Sequence, residues 1–238
     1  MGVAIDVVGI DRDDTLWHSE GHYDLTQQRY CELLAPWVDP DSVSTALLDT
    51  ERRNLALFGY GVKGFTLSMI ETALTITEHR IDGAHMEKIV SLGKELLAHP
   101  VELLDGVAET LDVLAEHHRL VLITKGDLFH QESKVAASGV AERFESIEIV
   151  AEKDAATYAR VLRRMGSSPD AFCMIGNSVR SDIAPVLELG GAGIHVPYHL
   201  TWALETAELE ESHPRLVQVT EIRQAPAALV GLAAAAAQ

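Results

Sequence analysis

Asp11, Asp13 and Asp14, followed by Thr15, bring three carboxylates and a hydroxyl to the end of a short apolar run in a chain of 238 residues. The run itself, Val3, Ile5, Val7, Val8 and Ile10 broken only by Asp6, has the β-branched character of a buried parallel strand. In an open α/β sheet the carboxyl end of such a strand is the edge where ligands bind. Carboxylates two positions apart on a rigid strand end repel each other unless a cation lies between them or one holds a proton. Asp11 and Asp13 therefore suggest a metal-assisted carboxylate site. A structural reading is equally open on this stretch alone, with Asp13 or Asp14 capping the next helix and Thr15 closing a turn.

Other polar strand ends recur further along. Leu120-Val121-Leu122-Ile123 runs into Thr124-Lys125-Gly126-Asp127, and Phe172 to Ile175 runs into Gly176-Asn177-Ser178. Between them lie a helix ending near Gly139, a strand from Ser146 to Val150, and Lys153 just ahead of a helix that Asp154 caps and that continues to Met165. A helix from Gly106 to His117 precedes this series. A helix from about Ser181 to Leu189, the turn Gly190-Gly191 and a strand from Ala192 to Val196 follow it. Alternating strands and helices indicate a doubly wound, Rossmann-like parallel sheet. Right-handed crossovers then bring the loops after Ile10, Ile123 and Ile175 to one edge.

The segment between Trp17 and Val101 has a different grammar. Candidate helices at Leu25 to Ala35, Pro40 towards Phe58, Thr66 to Thr77 and His85 to Ala98 follow one another without a convincing strand. The expected fold class is α/β, with residues 1–17 and 101–238 as the core domain and residues 18–100 as an inserted all-helical domain.

Composition narrows the partners. The chain is long enough to bury a full core, and 36 acidic against 19 basic residues give a net charge of -17. That charge argues against nucleic acid or an anionic membrane, and it requires any anion site to be a local pocket. Cys31 and Cys173 lie in apolar surroundings and read as reduced core residues of a cytoplasmic protein. The start lacks a signal sequence, no run is long enough to span a bilayer, and Leu232 to Gln238 reads as a frayed helix or disorder.

Two patterns are set aside. Gly59-Tyr60-Gly61-Val62-Lys63-Gly64 matches a dinucleotide fingerprint but follows a helix rather than a strand. The pairs His18/His22 and His195/His199 have metal-ligand spacing, but Gly21 and Pro197 oppose continuous helices, so surface or loop histidines are expected.

Taken together, Asp11-Arg12-Asp13-Asp14-Thr15-Leu16, Leu122-Ile123-Thr124, Lys153 and Ile175-Gly176-Asn177-Ser178 with Asp182 resemble, in order, the four motifs of the haloacid dehalogenase (HAD) superfamily of phosphohydrolases. The likeness covers residues 1–17 and 101–200, and the helical insertion then corresponds to a cap over the active site. It implies a Mg2+-dependent phosphatase acting on a small phosphorylated metabolite. Asp11 would be the nucleophile that forms an aspartyl-phosphate, and Asp13 the acid/base that protonates the leaving alcohol and then activates water. Thr124, with the backbone N–H groups of Lys125 and Gly126, would bind the phosphoryl oxygens. Lys153 would neutralise Asp11, with Lys134 and the Lys125 side chain as lesser rivals. The Mg2+ ligands implied are Asp11, the backbone carbonyl of Asp13, Asp182 and Asn177. Asn177 stands where the fourth motif usually has an acid, which implies a weaker hold on the ion or contact through a water.

The presence of Asp13 favours phosphate esters over the superfamily's dehalogenases, which lack that second carboxylate. A phosphomutase needs the same motifs and differs in how well water is excluded, while a non-catalytic binding or regulatory module is the alternative outside enzymology. In the helical insertion Arg52, Arg53, Tyr60 and Lys63 are substrate-contact candidates, set against simple pairing of the arginines with acids on a helix face. The oligomeric state is left open.

Overall fold

In a computed structural model that describes residues 4–208 and 212–236, the chain divides into two compact units, Met1–His18 with Val101–Lys125 and Glu132–Gln238, and Ser19–Pro100 with Gly126–Gln131. Along the chain run β1 (Val7–Ile10), α1 (Glu20–Leu34), α2 (Pro40–Phe58), α3 (Val62–Ile76), α4 (Gly83–Leu97), α5 (Val107–Ala115), β2 (Arg119–Lys125) and α6 (Leu128–Ala137). Then follow β3 (Ser146–Val150), α7 (Ala155–Met165), β4 (Phe172–Gly176), α8 (Ala184–Glu188), β5 (Ala192–His195), β6 (Leu216–Gln218) and α9 (Ala225–Ala236).

The first unit is an α/β, Rossmann-like fold whose six strands lie in the order β3-β2-β1-β4-β5-β6, every pairing parallel. Alternation along the strands divides its core. Val8, Ile10, Leu120, Leu122, Cys173 and Ile175 pack on one face with Leu111 and Leu114 of α5 and Leu229 of α9. Val7, Val121, Ile123, Phe172 and Met174 pack on the other with Tyr158, Val161 and Leu162 of α7. Both faces being covered, the strands read as continuous apolar runs rather than alternating ones. The chain winds from β1 out to β3 and then crosses to β4, so the switch in strand order falls between β1 and β4, and in open α/β sheets the carboxyl edge at such a point is where ligands bind.

The second unit packs Tyr30, Leu34, Leu47, Phe65, Met69, Ile89 and Leu92 of its four helices into a separate core. Asp39 and Asp82 cap α2 and α4 by accepting from Ser42 N and His85 N. Gly59 and Gly61 end α2 and begin α3, so the fingerprint-like stretch is a turn between helices. Gly126–Gln131, which the sequence puts with the α/β part, groups with these helices: Lys63 Nζ donates to Asp127 Oδ1 at 2.8 Å in this unit. The arginines pair with acids, Arg52 with Asp49 at 2.6 Å and Arg53 with Glu71 at 3.7 Å.

Several boundaries differ from the sequence reading. Helix α1 starts at Glu20 and passes through Gly21, and α3 starts four residues before Thr66, with Gly64 inside it. In place of a helix from Ser181 to Leu189 there is a π-helical turn, Val179–Ile183, and then the short α8. Pro185 supplies the reason, since it has no N–H to donate to residue 181 and the turn widens. Strand β6 and helix α9 carry too little pattern to be found: one has three residues, and the other is alanine-rich without a polar face. Residues 237–238 of the Ala-rich end, and residues 1–3, lie outside the described residues. Among the described residues no helix is long and apolar enough to cross a membrane.

Candidate active site

Strand β1 delivers Asp11 to the switch point. Ile10 is level with Leu122 on one side and Ile175 on the other, and Asp11 N donates to Ile175 O at 2.8 Å, which extends the ladder by one residue. The Asp11 side chain is buried. Its Oδ1 accepts from Lys153 Nζ, which also donates to Asp182 Oδ1 at 2.7 Å. A single buried ammonium thus bridges two buried carboxylates that lie 171 residues apart in the sequence. Burial is the main influence raising the Asp11 carboxyl, Asp182 adds to it, Lys153 opposes, and the outcome is a value pushed up to about 7. Burial works against the charge on Lys153, but Asp11 and Asp182 more than offset it and hold the ammonium above its ordinary range.

Asp182 reaches this position through the π-helical turn. Ser178 N donates to Asp182 Oδ2 at 2.9 Å, and Asp182 N donates to Ser178 O at 2.8 Å. Gly176 makes the approach possible: a Cβ there would lie 2.3 Å from Asp182 Oδ2. From α7, Tyr158 supports the turn from beneath, its hydroxyl donating to Ser181 O at 2.9 Å.

Asp13 is close enough to Asp11 to raise its pKa further, but its carboxylate is paired with Arg12. Arg12 is buried over the Trp17 ring, its guanidinium carbon 5.3 Å from the ring centroid. Lys134 sits on this side as well: burial lowers its pKa, and Asp13 and Asp14 oppose that while Arg12 adds to it. Asp14 adopts a left-handed conformation, φ 59°, and its N–H donates to Trp17 O at 2.8 Å, so the acidic loop curls tightly after the strand.

Thr124 is buried at the end of β2, and its hydroxyl donates to Lys125 O at 3.3 Å. The Lys125 ammonium is turned to Ser181 Oγ (2.9 Å), Glu205 and Glu152 (3.3 Å), and the residue itself is the last of β2, level with Val150 of β3. Gly126, with φ 132°, belongs to the other unit. Asn177 accepts at Oδ1 from Thr15 Oγ1 at 3.4 Å, and its carbonyl accepts from His195 Nε2 at 3.0 Å. His195 corrects the sequence reading of a surface or loop histidine, being a buried strand residue at the end of β5. A carbonyl only accepts, so Nε2 carries the hydrogen. His18 is paired with Tyr198, Nδ1 to the hydroxyl at 2.7 Å.

Arg12, Tyr158 and Glu205 are site-side residues to which the sequence reading assigns no role, and His195 enters it only for its spacing from His199 and is set aside. A histidine ending a strand on the same edge was the one available signal. Arg12 and Glu205 had none, because an arginine between acids reads as solvated and Glu205 lies in an irregular connection.

Hard oxygen donors at this edge suit Mg2+ in kind: the carboxylates of Asp11 and Asp182, the Asp13 carbonyl and the Asn177 amide. Among the described residues no three His, Cys, Asp or Glu side chains form a metal-holding group, so a backbone carbonyl, an amide and waters would have to complete the shell.

Residues 5–190 match the haloacid dehalogenase-like hydrolase family, and the chain belongs to that family of hydrolases. A haloacid dehalogenase-like family hydrolase from Xanthomonas campestris is 46% identical, with a TM-score of 0.89 over 98% of this chain and 94% of its own. More distant structures share the fold. L-2-haloacid dehalogenase from Xanthobacter autotrophicus, with chloropropionic acid covalently bound, has a TM-score of 0.64 at 15% identity over 96% of this chain and 99% of its own. The magnesium-bound YfnB from Bacillus subtilis, itself only provisionally named a HAD-hydrolase, has a TM-score of 0.67 at 15% identity over 95% and 99%. No curated protein matches the sequence.

Proposed function

We propose that the protein is a Mg2+-dependent phosphatase that hydrolyses a small phosphorylated metabolite through an aspartyl-phosphate on Asp11. The observation that carries this reading is the Asp11–Lys153–Asp182 cluster with a second carboxylate, Asp13, two residues beyond the nucleophile. Asp11 Oδ attacks phosphorus, the bond to the ester oxygen breaks, and that oxygen takes a proton from Asp13. For this step Asp13 parts from Arg12 and takes up a proton from solvent, and that is the proton it gives to the leaving oxygen. As a carboxylate it then takes a proton from water, whose oxygen attacks phosphorus and releases Asp11. Lys153 holds Asp11 in line and screens the incoming charge, while Thr124 Oγ1 and the Lys125 N–H offer donors to the phosphoryl oxygens. Bound Mg2+, held by Asp11, the Asp13 carbonyl, Asp182 and Asn177, would polarise the phosphoryl group as a Lewis acid.

The helical unit is proposed as the cap that sets substrate choice. The two free, buried cysteines and the small anionic substrate fit a cytoplasmic enzyme.

One observation favours a second reading. Asn177 stands where the fourth motif usually has an acid, and Asp11 already has a cationic partner in Lys153, so attack on carbon with halide leaving would need no metal. Phosphate release from p-nitrophenyl phosphate, with and without Mg2+, measured beside chloride release from 2-chloropropionate, separates the two. Wild type should release phosphate only with Mg2+ and Asp11→Asn should release none. Metal-free chloride release without phosphate release would instead establish the dehalogenase.

A further inference from the structure

The connection from β5 to β6 brings Glu205 onto the turn that carries Asp182, and its carboxylate gathers three donors there. Lys125 Nζ donates to Oε1, while Ser178 Oγ, at 2.8 Å, and Ser181 Oγ donate to Oε2. The directions are consistent throughout: Ser181 Oγ accepts from Lys125 Nζ at 2.9 Å, and Ser178 Oγ accepts from Ser181 N at 3.1 Å. Arg180, on the same turn, donates to Leu204 O at 2.6 Å and so fixes the connection beside Glu205. Ser178, which caps the turn, donates from its N–H to Asp182 Oδ2 within it.

We propose that Glu205 is a positioning residue of the hydrolase site: by holding Ser178, Ser181 and Lys125 it orders the turn that aims Asp182 at Lys153 and Asp11. The inference rests on the proposed function only for what Asp182 does once aimed. A π-helical turn is a wide, weakly bonded element, and its geometry depends on side-chain acceptors. Glu205 supplies a charged acceptor at 16% side-chain exposure, where hydrogen bonds are stronger than in water.

Hydrogen–deuterium exchange of the full chain without Mg2+ or substrate tests this, comparing wild type, Glu205→Gln and Glu205→Ala. Glu205→Ala should raise exchange in residues 177–183 roughly tenfold, with β1, β2 and β4 unchanged. Glu205→Gln, whose amide oxygen still accepts from the serines, should lie nearer wild type. In phosphate release from p-nitrophenyl phosphate, the Mg2+ concentration giving half-maximal rate should rise for Glu205→Ala and less for Glu205→Gln. Unchanged exchange in residues 177–183, or a uniform rise over all strands, overturns the proposal. Raised exchange confined to the turn, with no phosphate release even from wild type, upholds Glu205 and removes the phosphatase reading instead.

Discussion

Lys153 is the residue on which the site balances. Its ammonium faces two buried carboxylates, so removing it leaves like charges in a poorly solvated place. Lys153→Met should cost about 3–5 kcal/mol of stability by that reasoning, seen as a lowered Tm, and phosphate release should fall below detection. A Tm equal to wild type would mean the ammonium does not bridge the pair. Asp11 gives a pH dependence of defined sign. Its carboxyl is raised from 3.8 to about 7, chiefly by burial, so between these values the native protein keeps a proton that the unfolded chain releases. Metal-free stability from this group is therefore full below about pH 4 and declines as pH rises towards 7, by at most about 1.4 kcal/mol per pH unit. The Tm difference between wild type and Asp11→Asn, followed over that range in the presence of a chelator, should shift against wild type as pH rises. A difference independent of pH would contradict it.

At the level of elements, the edges of strands carried the legible information and the turns between them did not. Apolar runs ending in Asp11, Thr124 and Gly176 read as strands β1, β2 and β4 and marked the edge of the candidate site, because a strand buried on both faces has few other ways to read. Pro185 and Ser178 were visible, but the π-helical turn they create depends on which hydroxyls and carbonyls meet in space. Gly176 is the clearest case of an element set by its neighbour. Gly176→Ala would drive Cβ into the Asp182 carboxylate, so it should displace Asp182 and abolish Mg2+-dependent turnover. A variant with normal Mg2+ dependence would deny the close approach. Helix α7 follows Lys153 directly, and Asp154 caps it by accepting from Thr157 N at 2.7 Å. Asp154→Ala should lower stability by about 1 kcal/mol, read from urea unfolding.

Over the whole molecule, a net charge of -17 surrounds a site proposed to take an anion. The field should slow the substrate's approach, so kcat/KM should rise as NaCl screens it between low and physiological ionic strength. A fall with added salt would indicate a positive approach path instead. The two-unit organisation was legible because the grammar of the chain changes at Trp17 and again at Val101. The grouping of Gly126–Gln131 with the helices was not, since it rests on pairings such as Lys63 with Asp127 between distant segments.

The central claim is that Asp11 becomes phosphorylated. Acid-quenching the enzyme during turnover of a radiolabelled phosphate ester, then locating the label by peptide, tests it directly. The account predicts an acid-stable, hydroxylamine-labile label on the peptide containing Asp11, absent in Asp11→Asn. Phosphate release by wild type without label on that peptide, or equal release by Asp11→Asn, would contradict it.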